Sequence, residues 1–213
     1  MADWVTNKVE APKQVLKSLL TADGTIDFNL ISSFKGSYEW TEILGEAERC
    51  AKAVMAIPIN GRPSRTSDIY SFDGGSVARE LNDESFEQFI QMLRNLRNHG
   101  YANHKDFAYG AWGTILSASD QKVDLEAGFV TFQTAGSTPQ PLLKALSAKH
   151  PNDMIKVSSA RHYQEDEGAC GIFVYKGGQV VSSDIPDWYN LSALERSKWI
   201  AFARELTGIS ESE

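Results

Sequence analysis

What most constrains this chain is the order in which its apolar spacing changes between period two and a helical period. Trp4-Val5-Thr6-Asn7-Lys8-Val9-Glu10 alternates large apolar with polar residues, which an extended chain sends to opposite faces. Pro12 suits the first turn of a helix, and Val15, Leu16, Leu19 and Leu20 make one apolar stripe before Asp23-Gly24 stops it. Strand spacing returns at Thr114–Ser119 and Gly128–Thr134, joined as a hairpin through Asp120-Gln121-Lys122. Ser137 or Thr138 then caps a helix with Pro139 near its first position and Leu142, Leu143 and Leu146 on its buried side, ended by His150-Pro151. Met154–Tyr163 and Gly171–Val181 follow as strands, the second folding back at Gly177-Gly178.

Strand, helix, strand, strand, helix, strand predicts an α+β chain, a ferredoxin-like split βαβ antiparallel sheet with both helices on one face. The other face is left for solvent, a partner or inserted helices. A single domain over residues 1–213 is expected, its core from residues 1–31 and 112–183, with a mostly helical insertion at 32–111 and a C-terminal helix at 191–207. Within the insertion, Ser37 is the expected N-cap of a helix carrying Trp40, Ile43, Leu44, Ala47, Ala51, Val54 and Met55, with Cys50 near that stripe. Pro58 to Asn82 reads as a Gly-, Pro- and Ser-rich excursion. Asn82 or Asp83 then caps the clearest helix, where Phe86, Phe89, Ile90, Leu93 and Leu96 recur at three- and four-residue spacing up to Gly100. Ser192-Ala193-Leu194-Glu195 is a capping box opening a last helix with Trp199, Phe202 and Leu206.

Composition narrows the class. With 213 residues, 42% hydrophobic and 23% charged, the chain has ordinary globular usage. Its net charge of -7 makes it acidic. Two cysteines, Cys50 and Cys170, make neither a disulfide framework nor a zinc site. No apolar run approaches the roughly 20 residues that span a bilayer, and Met1-Ala2-Asp3-Trp4 lacks signal-peptide blocks, so a cytoplasmic protein without a membrane partner is expected.

A set of short motifs adds a resemblance. Trp112-Gly113-Thr114, the run Phe132 to Pro139 leading into Leu142–His150, Glu165-Asp166-Glu167-Gly168 with Cys170-Gly171, and the opening Asn7-Lys8-Val9 with Phe28-Asn29 resemble the YubB ferredoxin-like family of phage- and plasmid-encoded small proteins. Where that family has Trp-Gly-Thr-Lys-Trp-Asn, this chain has Trp112-Gly113-Thr114-Ile115-Leu116-Ser117, and Ala135-Gly136-Ser137-Thr138-Pro139 stands for Ala-Trp-Ser-Pro-Pro. The resemblance implies a ferredoxin-like fold and a mobile-element origin, and it carries over no catalytic residue.

Candidate surfaces follow from residue type. Asp120, Asp124 and Glu126, with Glu165, Asp166 and Glu167, fall near ends of strands that share a sheet, where a carboxylate patch imitates phosphate spacing. Tyr70, Phe72, Tyr101 and Tyr109 border the excursion and the helix after it, a composition of protein contact surfaces. With the mobile-element origin that the resemblance implies, the expected function is that of a non-enzymatic interaction protein of a phage or plasmid, acting on a host or defence protein through an acidic or aromatic surface. The alternative is a nucleic-acid module. Leu125 to Phe132 partly matches the RNA-recognition strand, placing Phe129 and Thr131 on the open face, and Arg94, Arg97 and Lys105 form the densest basic cluster. Leu125 and Ala127, however, stand where that pattern has a cation and a stacking aromatic. A third possibility is an enzyme with a site near His162 and Glu167. No metal-ligand spacing, phosphate loop or nucleophile motif is present, so no cofactor is expected.

Overall fold

In the computed structural model, residues 4–56, 79–161 and 170–208 are described. The chain divides into two compact units, Met1–Ser33 with Ala108–Glu213, and Phe34–Phe107.

In the first unit, β1 (Trp4–Glu10), β2 (Ser119–Asp124), β3 (Phe129–Ala135), β4 (Ile155–Arg161), β5 (Cys170–Lys176) and β6 (Gln179–Asp184) form one sheet in the order β2-β3-β1-β4-β5-β6. Every pairing is antiparallel. The first four strands have the ferredoxin-like order, with β1 between β3 and β4, and the β5–β6 hairpin extends the sheet beyond β4. The predicted alternation of β1 is observed: Val5, Asn7 and Val9 turn to a buried face with Val130, Phe132 and Thr134 of β3. Helices α1 (Lys13–Lys17) and the later Gln140–Lys149 cover that face with Val15, Leu16, Leu142, Leu143 and Leu146. Burying each such side chain contributes about 1.5–3 kcal/mol. Phe28 lies edge-on to Phe132 at 5.5 Å and to Trp112 at 5.7 Å, and the Trp112 indole N–H donates to the Ser32 carbonyl at 2.8 Å.

Four local expectations are corrected. The second strand begins at Ser119, not Thr114, because Gly113 turns with φ +82° and the Thr114 hydroxyl is tied to the Ala135 carbonyl at 3.1 Å. The helix after β3 has Pro139 at its N-cap with no side-chain cap, since the Ser137 hydroxyl donates to the Gly113 carbonyl at 2.6 Å. The sheet face carrying Phe129 and Thr131 is not left open. The C-terminal helix stands over β1 and β4, with Phe202 and Leu206 across a cleft from Thr6, Lys8 and Ser158.

The fourth correction lies in the second unit, where α2 spans Gly45–Ala56 and Ser37 caps no helix. The backbone of residues 37–44 instead bonds to buried amides of α3 (Asp83–His99). Asn95 accepts from the Ser37 N–H at 3.3 Å and donates to its carbonyl at 2.8 Å, and Gln88 accepts from the Leu44 N–H at 3.0 Å. The α3 limits are as expected, with Asn82 accepting from Ser85 N–H and Gly100 left-handed at φ 79°. Ala47, Cys50 and Ala51 of α2 pack with Phe89 and Met92 of α3 and with Ala102. Helix α4 (His104–Trp112) leads the chain out of this unit, followed in the first unit by α5 (Gln140–Lys149) and α6 (Ala193–Thr207). Ser192 and Glu195 make the expected capping box of α6.

Candidate functional site

A cleft of about 560 Å³ lies in the first unit between the sheet and α6. Period two places Thr6, Lys8 and Glu10 of β1 on its floor beside Phe129, Thr131 and Gln133 of β3, Lys122 of β2, and Lys156 and Ser158 of β4. Phe202 and Leu206 form the opposing wall. Glu10 pairs with Lys156 at 3.0 Å and more loosely with Lys8 at 3.9 Å. Lys8 Nζ lies 4.8 Å from the centroid of the Phe129 ring, so the ring face where a base would stack already holds a cation.

A second cleft, about 450 Å³, joins the motifs that carry the family resemblance. Gly113, Gly136, Ser137, Thr138, Arg161 and Cys170 line it at the end of the sheet where β1 begins. The Thr114 and Ser137 bonds described above link the Trp112-Gly113-Thr114 and Ala135–Pro139 segments. A further chain runs from Asn7 Nδ2 to Thr134 Oγ1 at 2.8 Å and from that hydroxyl to the Ser137 carbonyl at 2.7 Å. These motif residues hold three chain segments in register.

The expected acidic residues are engaged one by one. Asp120, at φ 43°, accepts from the Gln133 amide at 3.0 Å; Asp124 accepts from the Ala127 N–H at 2.9 Å and fixes the hairpin turn; Glu126 pairs with Lys13. Lys13 holds the Glu126 carboxyl below its usual range. Tyr101 is half-buried edge-on to Phe107 at 5.3 Å, whereas Tyr109 is 71% exposed. Arg94, Arg97 and Lys105 are exposed on the Phe34–Phe107 unit, and Phe129 and Thr131 belong to the other. Glu165, Asp166, Glu167, Tyr70, Phe72 and His162 lie outside the described residues.

Both thiols are buried, and desolvation pushes Cys50 up and Cys170 up to about 11, which disfavours the nucleophilic thiolate. Among the described residues no group of three or more His, Cys, Asp or Glu is placed to hold a metal. Nor, among them, is any helix long and apolar enough to cross a membrane.

Two surfaces were missed in the sequence. One is the lysine-lined floor, whose signal was the polar half of the β1 alternation. The other is β6, all of whose residues are exposed. Val180 and Val181 in it, Ile185 and Tyr189 after it, and Leu194 in the first turn of α6 are 36%, 54%, 53%, 84% and 67% exposed.

The topology defines a ferredoxin-like domain, and residues 112–201 match the family model described as the ferredoxin-like domain in Api92-like protein. The chain is also similar to the crystal structure of protein api92 from Yersinia pseudotuberculosis, at 13% identity and a TM-score of 0.40, over 87% of this chain and 98% of that one. No curated protein matches it.

Proposed function

We propose that this chain is a non-enzymatic interaction protein of a phage or plasmid, related to the YubB ferredoxin-like family, which binds and inhibits a host or defence protein. The observation that carries the reading is the β6 edge of the sheet, which no other strand covers among the described residues. An edge strand offers unpaired N–H and C=O groups to any extended chain, and folded proteins ordinarily blunt it with charges or proline. The β2 edge is blunted in this way, with Asp120, Lys122 and Asp124. The β6 edge, Gln179-Val180-Val181-Ser182-Ser183-Asp184, has one charge at its far end, and exposed apolar residues continue past it. The partner that fits is an extended segment adding a seventh strand, apolar opposite Val180 and Val181 and basic toward Asp184 and Asp187.

The test places a photo-crosslinking residue at position 181 and, in parallel, substitutes Val181→Lys, a change an exposed side chain tolerates. The expected result is a crosslinked partner whose modified peptide is extended and basic, with capture cut about tenfold by Val181→Lys, the effect of roughly 1.4 kcal/mol. Equal capture by wild type and Val181→Lys overturns the reading.

A further inference from the structure

We infer that the cleft beneath α6 is a binding site for a small phosphomonoester, independent of the β6 edge. Strand register brings four polar side chains of the cleft into one row. Lys122 of β2 pairs with Thr131 of β3, Thr131 pairs with Lys8 of β1, and Lys8 pairs with Ser158 of β4. All four line the cleft, so one row across the sheet reads Lys122, Thr131, Lys8, Ser158, with no carboxylate in it.

The two ammonium groups are rooted two strands apart, about 10 Å by strand spacing. Their flexible four-carbon stems can close on one anion lying over the Thr131 hydroxyl between them. Among the described residues Lys122 has no ion-pair partner, and Lys8 meets Glu10 only at 3.9 Å while Glu10 engages Lys156 at 3.0 Å. The other cleft carboxylates stand outside the row: Asp120 is held by the Gln133 amide at 3.0 Å, and Glu205 is on the helix wall.

Two cations with two flanking hydroxyls match a doubly charged oxyanion better than a carboxylate, and a phosphomonoester carries about -1.5 to -2 at pH 7. On the wall opposite, Phe202 and Leu206 present apolar surface beside Glu205 and Thr207, and those two side chains suit the ester's organic part. The volume, about 560 Å³, is that of a small-molecule pocket. Helix α6 over β1 and β4, and Lys8 over the Phe129 ring, occupy the path and the stacking surface that a nucleic-acid strand would use.

The probe is phenyl phosphate, titrated into the whole chain by calorimetry and by amide chemical shifts, with benzoate and a thymidine oligonucleotide as comparators. Phenyl phosphate should shift Lys8, Lys122, Thr131 and Ser158 and bind more tightly than benzoate. Binding should weaken as pH falls through about 6, where the ester loses its second charge. Lys122→Ala and Thr131→Val, both at positions outside the core, should each weaken it by about tenfold or more, consistent with losing one hydrogen bond to a charged group. Lys144→Ala, on the opposite helical layer, should leave it unchanged. Absence of shifts in that row overturns the inference, as does equal weakening by Lys144→Ala, benzoate binding as tightly, or an oligonucleotide binding tighter than phenyl phosphate.

Discussion

Lys8 and Phe129, on adjacent antiparallel strands, form a cation–π pair across the sheet, with Nζ 4.8 Å from the ring centroid. Glu10 is the direct cross-strand partner of Phe129, so Lys8 reaches diagonally and the same lysine also meets Glu10 at 3.9 Å. A half-exposed pair of this kind is worth about 0.5–1 kcal/mol. Lys8→Met keeps the stem and removes the charge. In a double-mutant cycle with Phe129→Leu, followed by urea unfolding, the coupling should fall in that range, and no coupling would mean that the contact is geometric only.

Tyr175 is fully buried, its hydroxyl has no hydrogen-bond partner among the described residues, and burial pushes its pKa up to about 12. In the unfolded chain the group titrates near 10, so between about pH 10 and 12 the folded state holds a proton the unfolded state has lost. Stability from this source is present in full below pH 10 and drains away as pH rises through that window. Tyr38, raised to about 12 by desolvation and by Glu48 and Glu84, acts in the same sense. Tyr175→Phe should therefore be at least as stable at pH 7, since it removes an unsatisfied polar atom, and should lose less stability between pH 10 and 12. A variant markedly less stable at neutral pH would show that the hydroxyl has a partner.

Much of the topology was legible because each period was carried by neighbours in sequence: the β1 alternation, the α3 stripe with Asn82 and Gly100, and the Ser192–Glu195 box all came from local chemistry. The failures came from long-range bonds. Ser37 reads as an N-cap, yet Asn95, 58 residues away, takes both its backbone groups, and Ser137 reads as a cap until the Gly113 carbonyl claims its hydroxyl. The lysine row was invisible for a related reason. Lys8, Lys122 and Ser158 are far apart in sequence, and only the register of four strands makes them neighbours.

Asn95 should be the costliest polar side chain to remove from the second unit. It is nearly fully buried, and its amide donates to the Ser37 carbonyl at 2.8 Å and the Ala102 carbonyl at 3.0 Å while its oxygen receives the Ser37 N–H. Asn95→Ala leaves those groups without partners, at about 1–3 kcal/mol for each that stays dry. Hydrogen exchange should accelerate in α2 and α3 before it does in the sheet. Uniform acceleration across both units would contradict a local role.

Neither thiol should behave as a reactive cysteine. Desolvation raises Cys170 to about 11 and Cys50 above its ordinary value, so at pH 7 the thiolate fraction of each is small and access is poor. A thiol-specific disulfide reagent should label both only slowly in the native protein and rapidly in denaturant. Fast native labelling of Cys170 would place a nucleophile in the second cleft.

Gly113 is where the motif cluster is most sensitive to a single methyl group. Its φ of +82° is one that only glycine adopts freely, and an added Cβ would meet the Pro141 Cδ at 2.7 Å. Pro141 is held in the first turn of α5, so it has little freedom to retreat, and the Gly113 carbonyl must stay in place to receive the Ser137 hydroxyl. Gly113→Ala is thus expected to cost about 1–3 kcal/mol, combining left-handed strain with the clash. The damage should be local, with amide shifts at Thr114, Thr134 and Ser137 and little change in α2 or α3. Gly136, also left-handed at φ +80° but with no atom within 4 Å of an added Cβ, separates the two causes. Gly136→Ala should pay for strain alone and be the milder variant. Equal losses at the two positions would show that backbone conformation, not contact with Pro141, fixes Gly113.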